Sequence, residues 1–188
     1  MFIETEGTPN PATLKFLPGR TVMGSGTADF PSAEAAAPSP LARALFALPG
    51  VSRVFLGADF ITVTKDWDAD WQVLRPQVLG AIMDHFMAGL PVIEAEAEAE
   101  GGEDEAEVAP QDREIVAQIR ELIDTRVRPA VAMDGGDIVF RKFEDGIVYL
   151  RLQGACSGCP SSRATLKHGI ENMLKHYVPE VVAVQAVE

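Results

Sequence analysis

A run of acidic residues near the middle of the chain divides it into two parts that must fold separately. Residues 94–110 contain eight acidic residues and no basic one, so most of the net charge of −12 lies in this short stretch. Like charges at this density repel one another and favour a solvated tether over a packed element. A chain of 188 residues is comfortable for two small domains. The sequence therefore predicts domains at 1–93 and 111–188, joined by an acidic flexible linker at 94–110.

The first part shows short strand patterns and two amphipathic helices, in the order β-β-α-β-β-α. Ser39 and Pro40 supply an N-cap and a proline at the first helical position, which predicts that a helix begins there. The second helix is predicted to begin near Pro76, and residues 18–38, rich in Gly, Pro, Ser and Ala, are predicted to form a loop. The predicted strands are 2–6, 14–17, 51–56 and 60–64.

Three aromatic or imidazole side chains of this part need an interpretation. His85 lies beside the apolar face of the second predicted helix, and a structural role is the simplest explanation for it. Trp67 and Trp71 lie among aspartates, where they either pack at the core or its rim or form a docking patch for a partner.

The second part has the order α-β-β-α-β, so the fold class is α/β (α+β) with two small domains. Pro129 is predicted to end the first helix, and the turn 134–137, with two glycines between aspartates, precedes a strand. Strands are predicted at 138–143, 147–152 and 181–187, and a helix is predicted to follow Pro160.

The chain has two cysteines, Cys156 and Cys159, with two residues between them. A disulfide between them would close a trivial loop, and in a reducing compartment such a pair is typical of metal binding or redox chemistry. The pair lies between a strand and the start of a helix, whose N-terminus favours the thiolate form that metals require. Arg163 and Lys167, in the first two turns, could help to hold an anionic site.

Three kinds of site are compatible with this pair. A structural zinc needs four ligands, and His168 and His176 lie roughly 12 Å apart along one helix at about 1.5 Å per residue, so only two chains that pool their thiolates could hold one zinc. A dithiol oxidoreductase also uses the order strand, C-x-x-C, helix, but its fold needs more elements than can follow Tyr177. An iron–sulfur cluster is usually held by four thiolates, which again requires two chains.

The surrounding residues resemble a known family. Residues 111–188 resemble the NifU C-terminal-type (Nfu) domain, and residues 1–93 resemble the Nfu N-terminal domain. The matching stretches are 128–131, 134–137 and 154–162 in the second part, and 8–11, 15–16, 39–42, 48–51 and 57–65 in the first.

The resemblance implies a scaffold and carrier for an iron–sulfur cluster, and not an enzyme. Cys156 and Cys159 would hold a 4Fe-4S cluster, with 2Fe-2S as the other option, between the two subunits of a homodimer. The cluster would come from an upstream donor and pass to apo iron–sulfur proteins, with the N-terminal domain helping to select them. No Ser/His/Asp set, P-loop or Rossmann glycine signature points to an enzyme instead.

Charge and hydropathy exclude some partners and suggest a location. The acidic balance argues against nucleic acid, and no apolar run approaches the ~18 residues that a membrane span needs. The first residues show neither a basic region followed by an apolar run nor an Arg-rich amphipathic leader. We therefore expect a cytoplasmic protein.

Overall fold

The computed structural model describes residues 2–24, 26–94, 108–156 and 160–187. The chain forms two compact units, Met1–Gly102 and Glu103–Glu188. Each unit combines helices with a sheet of its own, which confirms the predicted α+β class and the presence of two domains.

The first unit is built on a five-stranded antiparallel sheet with two helices. Its strands stand in the order β1-β2-β5-β4-β3. The elements are β1 (Glu4–Gly7), β2 (Thr13–Leu17), β3 (Ala28–Phe30), α1 (Pro40–Phe46), β4 (Val51–Leu56), β5 (Ile61–Lys65) and α2 (Trp71–Met87).

The start of α1 follows the sequence prediction. The side chain of Ser39 accepts a hydrogen bond from the backbone N–H of Ala42 at 3.1 Å, and Pro40 is the first helical residue. The same hydroxyl donates to the carbonyl of Val92 at 2.6 Å, and the backbone N–H of Glu94 donates to the carbonyl of Pro38 at 2.9 Å. The chain that leaves α2 is thus held against the start of α1.

Two details of the first unit differ from the prediction. The stretch predicted to be a loop contains β3, because Phe30 is buried and the carboxylate of Asp29 pairs with Arg53 on β4. Such a strand depends on distant contacts that local composition does not show. Helix α2 begins at Trp71, before Pro76, because Asp70 caps it by accepting from the N–H of Gln72 at 2.8 Å.

The second unit is a three-stranded sheet with helices. After a single 3₁₀ turn at Pro110–Asp112 come α3 (Arg113–Leu122), a π-helical segment (Ile123–Val127), α4 (Arg128–Met133), β6 (Gly136–Glu144), β7 (Ile147–Gly154), α5 (Pro160–Tyr177) and β8 (Ala183–Val187). The strand order is β6-β7-β8, with β6 and β7 antiparallel and β7 and β8 parallel. Helix α5 is the crossover that a parallel pair requires.

The prediction that Pro129 ends the helix is wrong, because the helical stretch continues through this residue. The π-helical turn precedes it, and Pro129 then occupies the first turn of α4, where its missing N–H is not needed. A local widening of the helix therefore accommodates the proline.

The hairpin between β6 and β7 follows from its turn residues. Asp145 and Gly146 have φ values of 53° and 78°, the left-handed pair that a tight two-residue hairpin turn needs. Along β7 every second residue is buried, which is the alternation of a strand with one face on the core. The last residues of β7 lead directly to the cysteine pair.

Candidate functional site

Cys156 lies in the turn that joins β7 to α5. Its side chain is 6% exposed and belongs to the apolar core of the second unit, together with Leu152 and Ile170. Cys159, the other predicted ligand, lies outside the described residues, and Pro160 begins α5 just after it. The predicted position of the pair, between a strand and a helix, thus holds for Cys156.

The thiol of Cys156 lies against the backbone of Gly136, the first residue of β6. A Cβ atom added at Gly136 would stand 2.6 Å from the Sγ of Cys156 and 2.9 Å from the backbone oxygen of Gln153. Both separations are shorter than van der Waals contact permits. The thiol therefore occupies space that any other residue at position 136 would fill.

Backbone contacts join the turn 134–137 to the cysteine turn. The N–H of Ala155 donates to the carbonyl of Gly135 at 3.1 Å, and Gly136 pairs with Gly154 across the ladder. Gly135 and Gly154 have φ values of 79° and 67°, which favour glycine. The turn between the two aspartates therefore supports the residue that precedes Cys156.

The second aspartate of that turn, Asp137, is buried and paired with an arginine. Its Oδ1 accepts from the Nε of Arg128 at 2.9 Å and its Oδ2 from Nη2 at 3.0 Å, while the N–H of Ile138 donates to Oδ1 at 2.8 Å. Hydrogen bonding to Asp137 is the main reason why the pKa of Arg128 is raised; burial opposes it, and Asp124 adds to it through a contact at 3.2 Å. This carboxylate holds the start of β6 to the start of α4.

Charged and imidazole side chains lie along α5. Arg163 is half-buried, whereas Lys167, His168 and His176 are exposed. The two histidines therefore project away from the core. Within the described ranges, no group of three or more His, Cys, Asp or Glu side chains is arranged to hold a metal ion.

The remaining candidates lie in the first unit. His85 is buried, with 4% of its surface exposed, which agrees with a structural role. Trp71 is half-buried, and its Nε1 donates to the carbonyl of Pro11 at 3.3 Å. Trp67 is 92% exposed and does not pack in the core.

Sequence reasoning missed two features of the site: the contact between Gly136 and Cys156, and the pair between Arg128 and Asp137. The run of two glycines between aspartates before a strand was the available signal. It predicted a turn, but the partner of each residue depends on the register of β6 against β7, which the sequence pattern does not specify.

Two family models match the chain. Residues 3–89 match the model described as Scaffold protein Nfu/NifU N terminal, and residues 119–185 match the model described as NifU-like domain. The order of the two matches is the order of the two units.

Similarity to a human protein extends over the whole chain. The human protein named NFU1 iron-sulfur cluster scaffold homolog, mitochondrial, is 53% identical over 189 residues, which cover 100% of this chain and 72% of the human protein. The chain belongs to the Nfu family. NifU-like protein 4, mitochondrial, from Arabidopsis thaliana is 52% identical to this Nfu chain, covering 98% of the chain and 65% of the plant protein.

A solved structure also resembles part of the Nfu chain. The solution structure of a NifU-like protein from Saccharomyces cerevisiae covers 50% of this chain and 86% of its own, at 28% identity and a TM-score of 0.46.

The prediction of a cytoplasmic location is wrong. The human and Arabidopsis relatives of this Nfu chain are named mitochondrial. The prediction took the first residues as evidence, but organelle targeting depends on segments outside the folded domains. Among the described residues, no helix combines the length and the apolar character needed to cross a membrane.

Proposed function

We propose that this chain is a scaffold and carrier for iron–sulfur clusters, with Cys156 and Cys159 as the ligands. The observation that carries the proposal is the thiol of Cys156, in a strand-to-helix turn, in a chain 53% identical to a protein named an iron-sulfur cluster scaffold. Cys159, three residues after Cys156 and just before Pro160, supplies the second thiolate of each chain. The start of a helix favours the thiolate form of a nearby cysteine.

The ligand count supports a homodimer. An iron–sulfur cluster is usually bound by four cysteine thiolates, and the chain has two cysteines. Two copies would then bridge one cluster, with each copy giving Cys156 and Cys159. We propose a 4Fe-4S cluster, on the resemblance to the family, with 2Fe-2S as the alternative.

The cluster in this proposal is cargo. A cluster shared between two subunits is released when the subunits separate, because each copy alone holds only half of the ligands. The partners are therefore an upstream cluster donor and apo iron–sulfur proteins, and the role is non-catalytic. Negative charge does not favour nucleic acid as a partner.

The domain boundaries belong to the same proposal. We propose that residues 1–93 form the partner-selecting domain, that 94–110 are the acidic linker, and that 111–188 bind the cluster. The contacts of Glu94 with Pro38 and Arg43 support a first domain that extends to the edge of the linker.

Replacement of each cysteine tests the ligand assignment. After anaerobic reconstitution, the full chain should be brown and contain iron and sulfide, whereas Cys156→Ser and Cys159→Ser should contain neither and keep the far-ultraviolet circular dichroism of the parent. A full cluster on Cys159→Ser would contradict the four-thiolate arrangement. Reduction of a test disulfide by the metal-free monomer would favour a dithiol oxidoreductase, and a colourless, air-stable dimer would favour bridging zinc.

A further inference from the structure

Gly136 lacks a side chain for a reason that backbone conformation does not explain. Gly135 and Gly154 lie in the left-handed region, but Gly136 does not, so its φ would permit any residue. A Cβ at position 136 would stand 2.6 Å from the Sγ and 3.2 Å from the Cβ of Cys156. Packing against its neighbours therefore sets the requirement for glycine, and the thiol of Cys156 is the nearest of these neighbours.

We propose that Gly136 is a positioning residue for the thiol of Cys156, an inference that rests on the proposed function. Because Gly136 has no side chain, the sulfur of Cys156 packs against its backbone in the turn after β7. This contact determines the position in which the sulfur meets a cluster. A side chain at this position would displace the sulfur from its place in the core.

Rotation of the Cys156 side chain alone would not make room for a side chain at position 136. The Cβ at position 136 would also stand 2.9 Å from the backbone oxygen of Gln153, and a backbone atom moves only with its strand. Gln153 pairs with Asp137 across the ladder. A larger residue at position 136 therefore moves the end of β7 together with the thiol.

The backbone of Gly136 cannot retreat either. Asp137, the next residue, is held by Arg128 through two hydrogen bonds, and the carbonyl of Gly135, on the other side, accepts from Ala155. With both neighbours held, the strain of an added side chain falls on the cysteine turn. Binding sites of this kind depend on ligand positions held to within about 0.5 Å.

Gly136→Ala tests the proposal, and Gly146→Ala is a more severe control, because Gly146 also has a φ of 78° that alanine adopts only with strain. A Cβ at Gly146 would stand 2.6 Å from the Cγ2 of Val182, the same separation, but at the other end of the β6–β7 hairpin. Both substitutions overpack the same unit, and only the first touches the thiol. Both variants are made in the full chain.

The first measurement needs no cluster. The metal-free proteins are treated with iodoacetamide, and alkylation of Cys156 is followed by peptide mass spectrometry. We expect Gly136→Ala to raise the rate about tenfold over the parent, equivalent to about 1.4 kcal/mol, and Gly146→Ala to leave it unchanged. The second measurement is the half-life of the reconstituted cluster, which we expect to shorten in Gly136→Ala alone.

Equal alkylation rates in the two alanine variants would overturn the proposal, since Gly136 would then matter only for folding. If no protein holds a cluster, parent included, the proposed function fails, while the alkylation rates still decide the role of Gly136. If Gly136→Ala is too unstable to assay, a double-mutant cycle with Cys156→Ala decides. The contact with the backbone oxygen of Gln153 is present in both backgrounds, so a smaller cost of Gly136→Ala in the Cys156→Ala background supports the contact with the thiol, and an equal cost contradicts it.

Discussion

Arg128 holds the carboxylate of Asp137 through two hydrogen bonds, at 2.9 and 3.0 Å, one residue beyond the glycine that lies against Cys156. Asp137 is 3% exposed, so water cannot replace these bonds if they are lost. The pair connects α4 to the strand that supports the cysteine turn. The geometry of the pair therefore gives it a structural role beside the cysteine turn.

Asp137→Asn should destabilise the second unit by about 2 kcal/mol, because a charge-assisted pair becomes a neutral contact with one amide N–H facing Arg128. Hydrogen–deuterium exchange of residues 136–154 measures the loss in that unit alone. Asp134→Asn is the control, since Asp134 is exposed in the same turn. Equal protection in the two variants would contradict the structural role of the pair.

The first unit should lose stability as the pH falls below about 6.5, the usual pKa of histidine. Burial lowers the pKa of His85, a hydrogen bond with the Leu90 backbone opposes the shift, and the charge of Arg20 adds to it. Nε2 of His85 has no hydrogen-bond partner within the described residues. The unfolded chain therefore binds the proton more readily, and acid favours unfolding.

Urea unfolding followed by tryptophan fluorescence measures this effect, because both tryptophans lie in the first unit. The midpoint should be lower at pH 5.5 than at pH 7.5. In His85→Phe, which cannot titrate, that difference should shrink. An undiminished difference in the variant would assign the pH dependence to another group.

Ser39→Ala should destabilise the first unit by about 1–2 kcal/mol, the usual cost of a lost N-cap. The upper end is expected because Ser39 is fully buried and its hydroxyl also donates to Val92. Tryptophan-detected urea unfolding gives the value. Ser32→Ala is the control, since Ser32 accepts a longer bond, 3.3 Å, from Ala35 in a part-buried turn; equal losses would show that the cap has no special weight.

Deletion of residues 95–107 should leave cluster assembly unchanged and alter only delivery to recipient proteins. Both proposed ligands lie far outside the deleted stretch, and the deletion spares Glu94, whose carboxylate pairs with Arg43 at 2.8 Å. Iron and sulfide content after reconstitution measures assembly, and activation of an apo iron–sulfur protein measures delivery. A variant in which a neutral Gly/Ser segment of equal length replaces residues 95–107 distinguishes the effect of the charge from the effect of linker length. Loss of iron in the deletion variant would show that the acidic residues contribute to cluster binding.

Local signals predicted much of the fold. The Ser39–Pro40 start of α1 and the strands predicted at 138–143 and 147–152 depend on neighbours in sequence, and each is present in the structure. The strand β3 was missed because its position depends on the pair between Asp29 and Arg53. Pairs between residues far apart in the chain produce no periodic pattern of apolar residues in the sequence.

Prolines misled the prediction of helix ends. Pro76 lies inside α2 on an exposed face, where the carbonyl that loses its donor can contact water. Pro129 follows a π-helical turn. The Asp70 cap places the start of α2 before Pro76, and the π-helical segment lets the helix continue through Pro129. Neither feature could be inferred from the helix-breaking tendency of proline alone.

The position of the candidate site along the chain could be inferred from residue chemistry, whereas its contacts could not. The C-x-x-C pair and its strand-to-helix setting were evident from the sequence, whereas the burial of Cys156 and its contact with Gly136 required the register of two strands. Cys159 remains a prediction, because it lies outside the described residues.

Native mass spectrometry of the anaerobically reconstituted chain tests the central claim most directly, since it reports chains, iron and sulfide in one assembly. The proposal predicts two chains that carry one 4Fe-4S cluster. A monomer without metal, or a dimer that holds a single zinc ion, would contradict it.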